Sequence, residues 1–430
     1  MRAAIYTLGC KVNQYETQAM EKLLRERGHI VTDFSRDADA YIVNTCSVTA
    51  VSGQKSRQVI RRVKREHPDA VLAVCGCYSQ TAPEDVRALG VDLISGTGNR
   101  TGFVELLENA VRNRAETARE ALDDARARRD FELLPAGGMS GRTRAMLKVE
   151  DGCNNFCAYC VIPYARGPVR SEPLPEAVRQ ARELASEGVR EIVLTGIEIS
   201  SWGRDFPDGQ TLTDLTEAIC EAVPDVRIRL GSLEPRTVTE DFCRRLGAFP
   251  NLCPQFHLSL QSGCDETLKR MRRRYDTARY LESVELLRAR FERPAVTTDL
   301  ITGFPGETER EFAQTLDFMR KCGFARTHIF PYSIRPGTPA AAMPQVPKAV
   351  KEERAARAKE VADALRAEYL SGCVGREYDV LFERSREGVF HGHAPNYADV
   401  YAPGEGLRNQ RRMTRIVSSD GESLYGEIVP

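Results

Sequence analysis

Three cysteines, Cys153, Cys157 and Cys160, stand within the eight residues Cys-Asn-Asn-Phe-Cys-Ala-Tyr-Cys. With thirteen cysteines among 430 residues, chance supplies about 0.01 triplets of this spacing per chain. A closed zinc site takes four protein ligands, and no further Cys or His lies close by in sequence. Three thiolates in one tight loop suit a [4Fe–4S] cluster whose fourth iron has no protein ligand. Such an open iron can be chelated by a small molecule, which makes the trio a candidate catalytic centre.

Cys10, Cys46 and Cys77 each fall just past the carboxyl end of a predicted strand. In open α/β sheets that edge is where ligands bind. Taken alone, these three also fit a simpler role as buried core thiols. Cys75 lies two residues before Cys77 and competes with it for the third place in this trio. An odd number of cysteines, in a long chain whose start shows no charged segment followed by an apolar one, argues against a disulfide framework. The sequence therefore predicts a soluble, cytoplasmic protein with no membrane partner.

The elements that must position these thiols follow from periodicity. Apolar runs at 3–8, 40–43 and 70–74 read as buried parallel strands, with helical patterns at 16–27 and 53–66 between them. Residues 111–130 are charged and Ala-rich and read as a solvated helical linker, followed by a Gly-containing turn at 136–141. A second alternation begins near Arg144. Its strands are expected at 145–149, 191–194, 227–230, 255–260, 296–301 and 327–331, a partial (β/α)6 barrel. Residues 348–369 form a long charged helix that should lead away from it. Beyond 373, short strands at 378–382, 389–391, 399–401 and 424–429 predict a small all-β barrel. The expected divisions are 1–110, a linker at 111–142, 143–371 and 372–430.

Lys plus Arg (61) balance Asp plus Glu (61), so no global basic field advertises a nucleic acid and any such site must be a local patch. The best clusters are 54–65, with six basic residues, and 269–274, with five. Arg408, Arg411, Arg412 and Arg415 add a weaker one that acids in the same tail offset.

The Cys153–Cys160 loop resembles the signature of the radical S-adenosylmethionine (SAM) superfamily. Thr7-Leu-Gly-Cys10-Lys-Val-Asn-Gln-Tyr-Glu-Thr17, Val43-Asn-Thr-Cys46 and Gly76-Cys77-Tyr-Ser-Gln80 resemble the N-terminal domain of its methylthiotransferase family. The resemblance implies a second [4Fe–4S] cluster on Cys10, Cys46 and Cys77, and its Gly-Cys-x-x-Gln pattern selects Cys77 over Cys75. It also implies a cofactor site. Tyr159 would lie near the adenine, with Gly196 at the methionyl amine, and Ser259, Gln261 and Arg272 at the ribose and carboxylate. Ile301, Gly303 and Tyr332 would come from the last two barrel strands. His391-Gly-His-Ala-Pro-Asn-Tyr397 resembles the TRAM domain, an RNA-binding β-barrel. Glu198 and Trp202 depart from what the resemblance leads one to expect after the second strand.

Within the family, the opening motif and Gly-Cys-Asn-Asn-Phe-Cys most resemble the branch acting on N6-threonylcarbamoyladenosine in tRNA. That implies methylthio transfer to adenine C2 beside the anticodon, with the anticodon stem-loop and an electron donor such as flavodoxin or ferredoxin as partners. Isopentenyladenosine tRNA and a ribosomal-protein aspartate are the alternative substrates. A non-catalytic RNA-binding protein with structural metal is the alternative of another class. Oligomeric state stays open.

Overall fold

The computed structural model describes residues 1–113, 119–137 and 143–429. Its N-terminal sheet contains β1 (Arg2–Thr7), β2 (Ile30–Thr32), β3 (Ala40–Thr45), β4 (Val71–Gly76), β5 (Leu93–Ser95) and β6 (Arg119–Ala121). All pairings are parallel, in the order β2-β1-β3-β4-β5-β6. β3 and β4 are buried at every position, which is why they read as continuous apolar runs rather than alternations. The connections diverge between β1 and β3, and a crevice opens at such a point beyond the carboxyl ends of the strands.

The helical linker expected over 111–130 is not what forms. Arg119–Ala121 joins the sheet as its sixth strand, pairing with Leu93–Ser95. A three-residue edge strand has too little pattern to compete with a charged, Ala-rich composition in a sequence reading. The remainder of that linker and the turn expected at 136–141 fall partly on 114–118 and 138–142, outside the described residues.

Six parallel strand units follow in chain order. Arg144–Lys148, Glu191–Thr195 and Arg227–Leu230 form one sheet. Ser232–Leu233, Gln255–Leu258, Ala295–Thr302 and Arg326–Pro331 form the next. The third unit breaks at Gly231, and a bridge from Ile228 to Leu252 carries the wall onward. Among the described residues the first and sixth strands do not pair, so the barrel is partial, as the six-strand reading expects.

The helix expected to lead away instead packs on the barrel. Lys348–Ser371 lies against the sixth strand, burying Ala358 and Ala362, and Arg354 Nη1 reaches Glu307 Oε2 at 2.8 Å. Small residues make its buried face, so its amphipathic signal is weak. The C-terminal segment is a closed barrel of five strands, not four: Glu377–Arg386, Val389–His393, Asp399–Pro403, Gln410–Ser419 and Leu424–Ile428. The Arg-bearing tail supplies the additional strand. There Arg411 pairs with Asp379 and Arg415 with Glu377.

Tyr397 docks this small barrel onto the larger one. Its ring lies between the guanidiniums of Arg144 and Arg229, 5.2 and 4.6 Å away, and its hydroxyl accepts from Arg144 Nη1 at 2.9 Å.

A buried charge network joins the N-terminal domain to the central barrel. Glu16, in α1 (Lys11–Glu26), is fully buried. It pairs with Arg100 at 2.8 Å, with Lys148 at 3.7 Å, and closely with Arg166. Asp151 closes the ring with Lys148 at 3.2 Å and Arg166 at 3.3 Å. Burial works against both carboxylates, but the surrounding cations outweigh it. Glu16 is held down to about 2, and Asp151 is depressed as well.

Candidate active site

Cys10 caps the start of α1, Cys46 follows β3, and Cys77 opens the short helix Cys77–Thr81 after β4. Because β1, β3 and β4 are neighbours in the sheet, three thiols far apart in sequence arrive at one edge. Gly76 makes the last turn possible. Its φ is +101°, and a Cβ there would stand 2.4 Å from the Thr45 carbonyl oxygen. Asn13 fastens the strand ends, donating to the carbonyls of Leu8 at 2.8 Å and Thr45 at 2.9 Å. Its Oδ1 accepts from Arg166 Nη2 at 2.8 Å.

Burial raises the thiol pKa of Cys10, Cys46 and Cys77. The thiols also lie close enough to raise one another, while Arg166 lowers all three. Three thiols that raise one another beside a single guanidinium form a donor set whose negative charge a cation would balance, so the donor chemistry fits a cluster. Cys75 faces the other way, packed in the apolar core with Met20, Leu24 and Phe103, where burial pushes its thiol up to about 11.

The second trio follows the first barrel strand. Gly152, at φ +88°, turns the chain where a Cβ would stand 1.9 Å from the Pro168 carbonyl oxygen. Burial raises Cys153 and takes Cys160 up to about 12. Arg273 Nη1 donates to Cys157 Sγ at 3.2 Å, and its ring neighbour Tyr275 lies 4.8 Å away. Cys77 is near enough to Cys160 to raise its pKa further. The two trios therefore face one another.

Between them lies a cavity of about 1030 Å³. Cys10, Cys153, Cys157 and Cys160 line it, as do Tyr159, Gly196, Ser259 and Gln261. Cys46 and Cys77 sit behind its wall, nearly fully buried. The other expected cofactor residues do not line it. Ile301 donates its backbone N–H to the Gln261 carbonyl at 2.9 Å and so positions that residue. Gly303, at φ +65°, donates to Glu307 Oε2 at 2.7 Å. Tyr332 packs edge-on against Phe304, which packs edge-on against Tyr159. Arg272 has φ +58° and points to an adjoining surface cleft, while its neighbour Arg273 enters the cavity. Spacing alone does not reveal a left-handed residue that swaps the two arginines.

Gly196 is glycine because a Cβ there would meet Glu150 Oε2 at 2.6 Å. Burial pushes the Glu150 carboxyl well above the carboxylate range, and its Oε2 accepts from Glu198 N at 2.8 Å. Glu198 lines the cavity and accepts from Asn155 Nδ2 at 3.0 Å. Trp202 is instead a core residue, buried, with Nε1 donating to the Glu172 carbonyl at 2.9 Å. Sequence reasoning singled out neither Arg166 nor Arg273 as a partner of thiols. The only signal is that both occur within or close after cysteine-bearing or basic motifs.

Among the described residues, His391, His393 and Asp399 bring potential ligand atoms within 4.8 Å of one another. Arg384 Nε donates to His391 Nδ1 at 3.3 Å, so the neutral ring carries its proton on Nε2 and donates to Asp399 at 2.8 Å. His393 faces Glu383 at 3.3 Å and Asp399 at 3.4 Å.

A family model described as the Radical SAM superfamily matches residues 147–319, the segment that carries Cys153, Cys157 and Cys160. With the partial barrel, it defines the class: a radical SAM protein. A second, described as Uncharacterized protein family UPF0004, matches residues 2–96, which carry the other trio. The chain is 39% identical over 408 residues to the threonylcarbamoyladenosine tRNA methylthiotransferase MtaB of Bacillus subtilis (strain 168), covering 93% of this chain and 90% of the relative. It is 37% identical over 387 residues to the tRNA-2-methylthio-N(6)-dimethylallyladenosine synthase of Acidothermus cellulolyticus, covering 88% and 76%. The chain belongs to the radical SAM methylthiotransferase family. In fold it is also similar to the radical S-adenosylmethionine methyltransferase TsrM of Kitasatospora setae, with a TM-score of 0.58 and 16% identity over 90% of this chain and 79% of that one.

Arg273 offers a test of the thiol geometry. Removing a hydrogen bond to a cluster sulfur stabilises the oxidised state relative to the reduced one. Arg273→Met is expected to lower the reduction potential of the Cys153–Cys160 cluster, on the order of 60 mV for a tenfold change in a one-electron equilibrium. Redox titration followed by electron paramagnetic resonance reads it. An unchanged potential would show that the contact to Cys157 has no electronic consequence.

Proposed function

We propose that this protein attaches a methylthio group to C2 of N6-threonylcarbamoyladenosine beside the anticodon of tRNA. The observation that carries the reading is one cavity lined by Cys10 of the first trio and by Cys153, Cys157 and Cys160 of the second, with Cys77 within electrostatic reach of Cys160. Four relatives at 34–39% identity name this substrate, the first at 39% against 37% for one that names dimethylallyladenosine, which favours it over the isopentenyladenosine and ribosomal-protein alternatives.

In this reading Cys10, Cys46 and Cys77 hold one [4Fe–4S] cluster, and Cys153, Cys157 and Cys160 hold the other. When bound, the clusters and SAM supply the methyl group, the sulfur attachment point and the radical that removes the C2 hydrogen. The chain's own groups do the rest. Arg273 fixes Cys157 and spans to the Ser259 carbonyl at 3.3 Å. Tyr159, backed by Phe304 and Tyr332, is a flat wall for an adenine ring. Gly196 lets the backbone pass against the Glu150 carboxyl where a Cβ would not fit, and burial raises that carboxyl well above the carboxylate range. The C-terminal barrel and the exposed basic face of helix Ala50–Glu66, with Lys55, Arg61, Arg62, Lys64 and Arg65, suit an anticodon stem-loop, since phosphate contacts position an RNA. A flavodoxin or ferredoxin supplies the electrons, in the cytoplasm. No helix among the described residues is long and apolar enough to cross a membrane.

Nucleoside mass spectrometry of tRNA from a strain lacking the gene tests the proposal. The 2-methylthio derivative of threonylcarbamoyladenosine should vanish and return on complementation, with the unthiolated nucleoside accumulating in between. Undiminished product in the deletion strain would overturn the assignment.

A further inference from the structure

The cavity contains cations that neither the cysteine sites nor the docking of the small barrel uses. Lys11, the first residue of α1, and Arg326, the first residue of the sixth barrel strand, both line it. Among the described residues neither side chain has a hydrogen-bond or ion-pair partner. The carboxylates nearby are already engaged. Glu191 holds Arg229 at 2.8 Å, Glu383 holds Arg144 at 2.5 Å, and Asp299 faces His257 at 3.4 Å. His328, also on the cavity wall, is within electrostatic reach of both Lys11 and Arg326, which places the two cations in one region.

We propose that Lys11 and Arg326 form a carboxylate subsite for the N6 substituent of the substrate base. The inference rests on the function proposed above. The threonylcarbamoyl group ends in a carboxylate, whereas an isopentenyl group has none, so the pair would select between two otherwise similar adenosines. One cation comes from the N-terminal domain and the other from the barrel, so the substituent is gripped only when both are in place. Gln255, Thr297 and His257 on the same wall offer neutral polar partners for the hydroxyl and ureido groups.

The test uses full-length, cluster-reconstituted protein under anaerobic conditions and three anticodon stem-loops. One carries threonylcarbamoyladenosine, one its carboxyl methyl ester, and one plain adenosine. Fluorescence anisotropy measures binding, and product is assayed on the same samples. Wild type should bind the acid about tenfold more tightly than the ester, the scale of one charge-assisted hydrogen bond. Lys11→Met and Arg326→Met should each bring that ratio close to one, while binding of the plain stem-loop and iron content stay unchanged. Lys11→Arg should retain the preference. A merely structural role would lower binding to all three RNAs together and leave the ratio intact, and that result overturns the subsite. Equal binding of acid and ester by a wild type that still makes methylthio product removes the subsite and leaves the reaction. Intact discrimination without product supports the subsite and overturns the reaction. Loss of both removes both.

Discussion

Cys157→Ala should abolish conversion of SAM to 5′-deoxyadenosine and halve the iron, from about eight to about four per chain. Cys46→Ala, in the other trio, should lose the same share of iron yet leave deoxyadenosine formation in place, while ending methylthio insertion. The asymmetry follows from position. Cys157 lines the cavity beside Tyr159 and Arg273, whereas Cys46 lies behind the opposite wall. Anaerobic iron and sulfide analysis, with chromatography of the nucleoside products, reads both effects. Retained deoxyadenosine formation in Cys157→Ala, or stoichiometric zinc without labile sulfide in wild type, would sink the two-cluster assignment.

Glu16→Ala is expected to destabilise the protein by about 3–5 kcal/mol, the cost of leaving buried charge uncompensated. Arg100 and Arg166 are both fully buried and both depend on Glu16. Denaturant unfolding measures the loss, and a change within about 0.5 kcal/mol, as for an ordinary surface substitution, would show that the network is not structural. Buried carboxylates paired with cations, in this network and beside Arg229, also predict acid sensitivity. The carboxyls of Glu16 and Glu191 are each held at about 2 against an ordinary 4.5. A group depressed on folding contributes its full stability above the unfolded value and loses it as the proton returns. Stability should therefore fall as the pH drops from about 4.5 towards 2. That decline should be shallower in Glu16→Ala, which has one fewer such carboxyl to protonate.

The six barrel strands were legible because each is a short apolar run flanked by helical periodicity. Their order and parallel sense follow from the crossovers that join them. The edge strand Arg119–Ala121 and the strand Gln410–Ser419 were not legible, because both consist mainly of residues that also suit solvated surface. The helix Lys348–Ser371 showed the reverse problem. Its length and charge were plain, but its buried face of Ala358 and Ala362 carries too little apolar contrast to show that it packs.

In the site, the Cys153–Cys160 trio stood out by its spacing, whereas Cys10, Cys46 and Cys77 were set apart from core thiols only by the family resemblance. Period-2 alternation alone would leave Cys75 and Cys77 on one face. The turn at Gly76, with φ +101°, and the helix that starts at Cys77 send them apart. Arg272 was taken where Arg273 enters the cavity, because a single left-handed backbone residue decides which of two adjacent arginines turns inward.

The sequence by itself determined which residues can ligate and which strands carry them, because ligand chemistry and strand periodicity are local properties of the chain. Only the tertiary structure decided that Cys10 and the Cys153–Cys160 trio line one cavity, that Glu16 and Arg166 tie their domains together, and that Lys11 and Arg326 have no hydrogen-bond or ion-pair partner among the described residues. Those facts depend on distances between segments up to about 300 residues apart, and electrostatic pairing depends on such distances rather than on order along the chain.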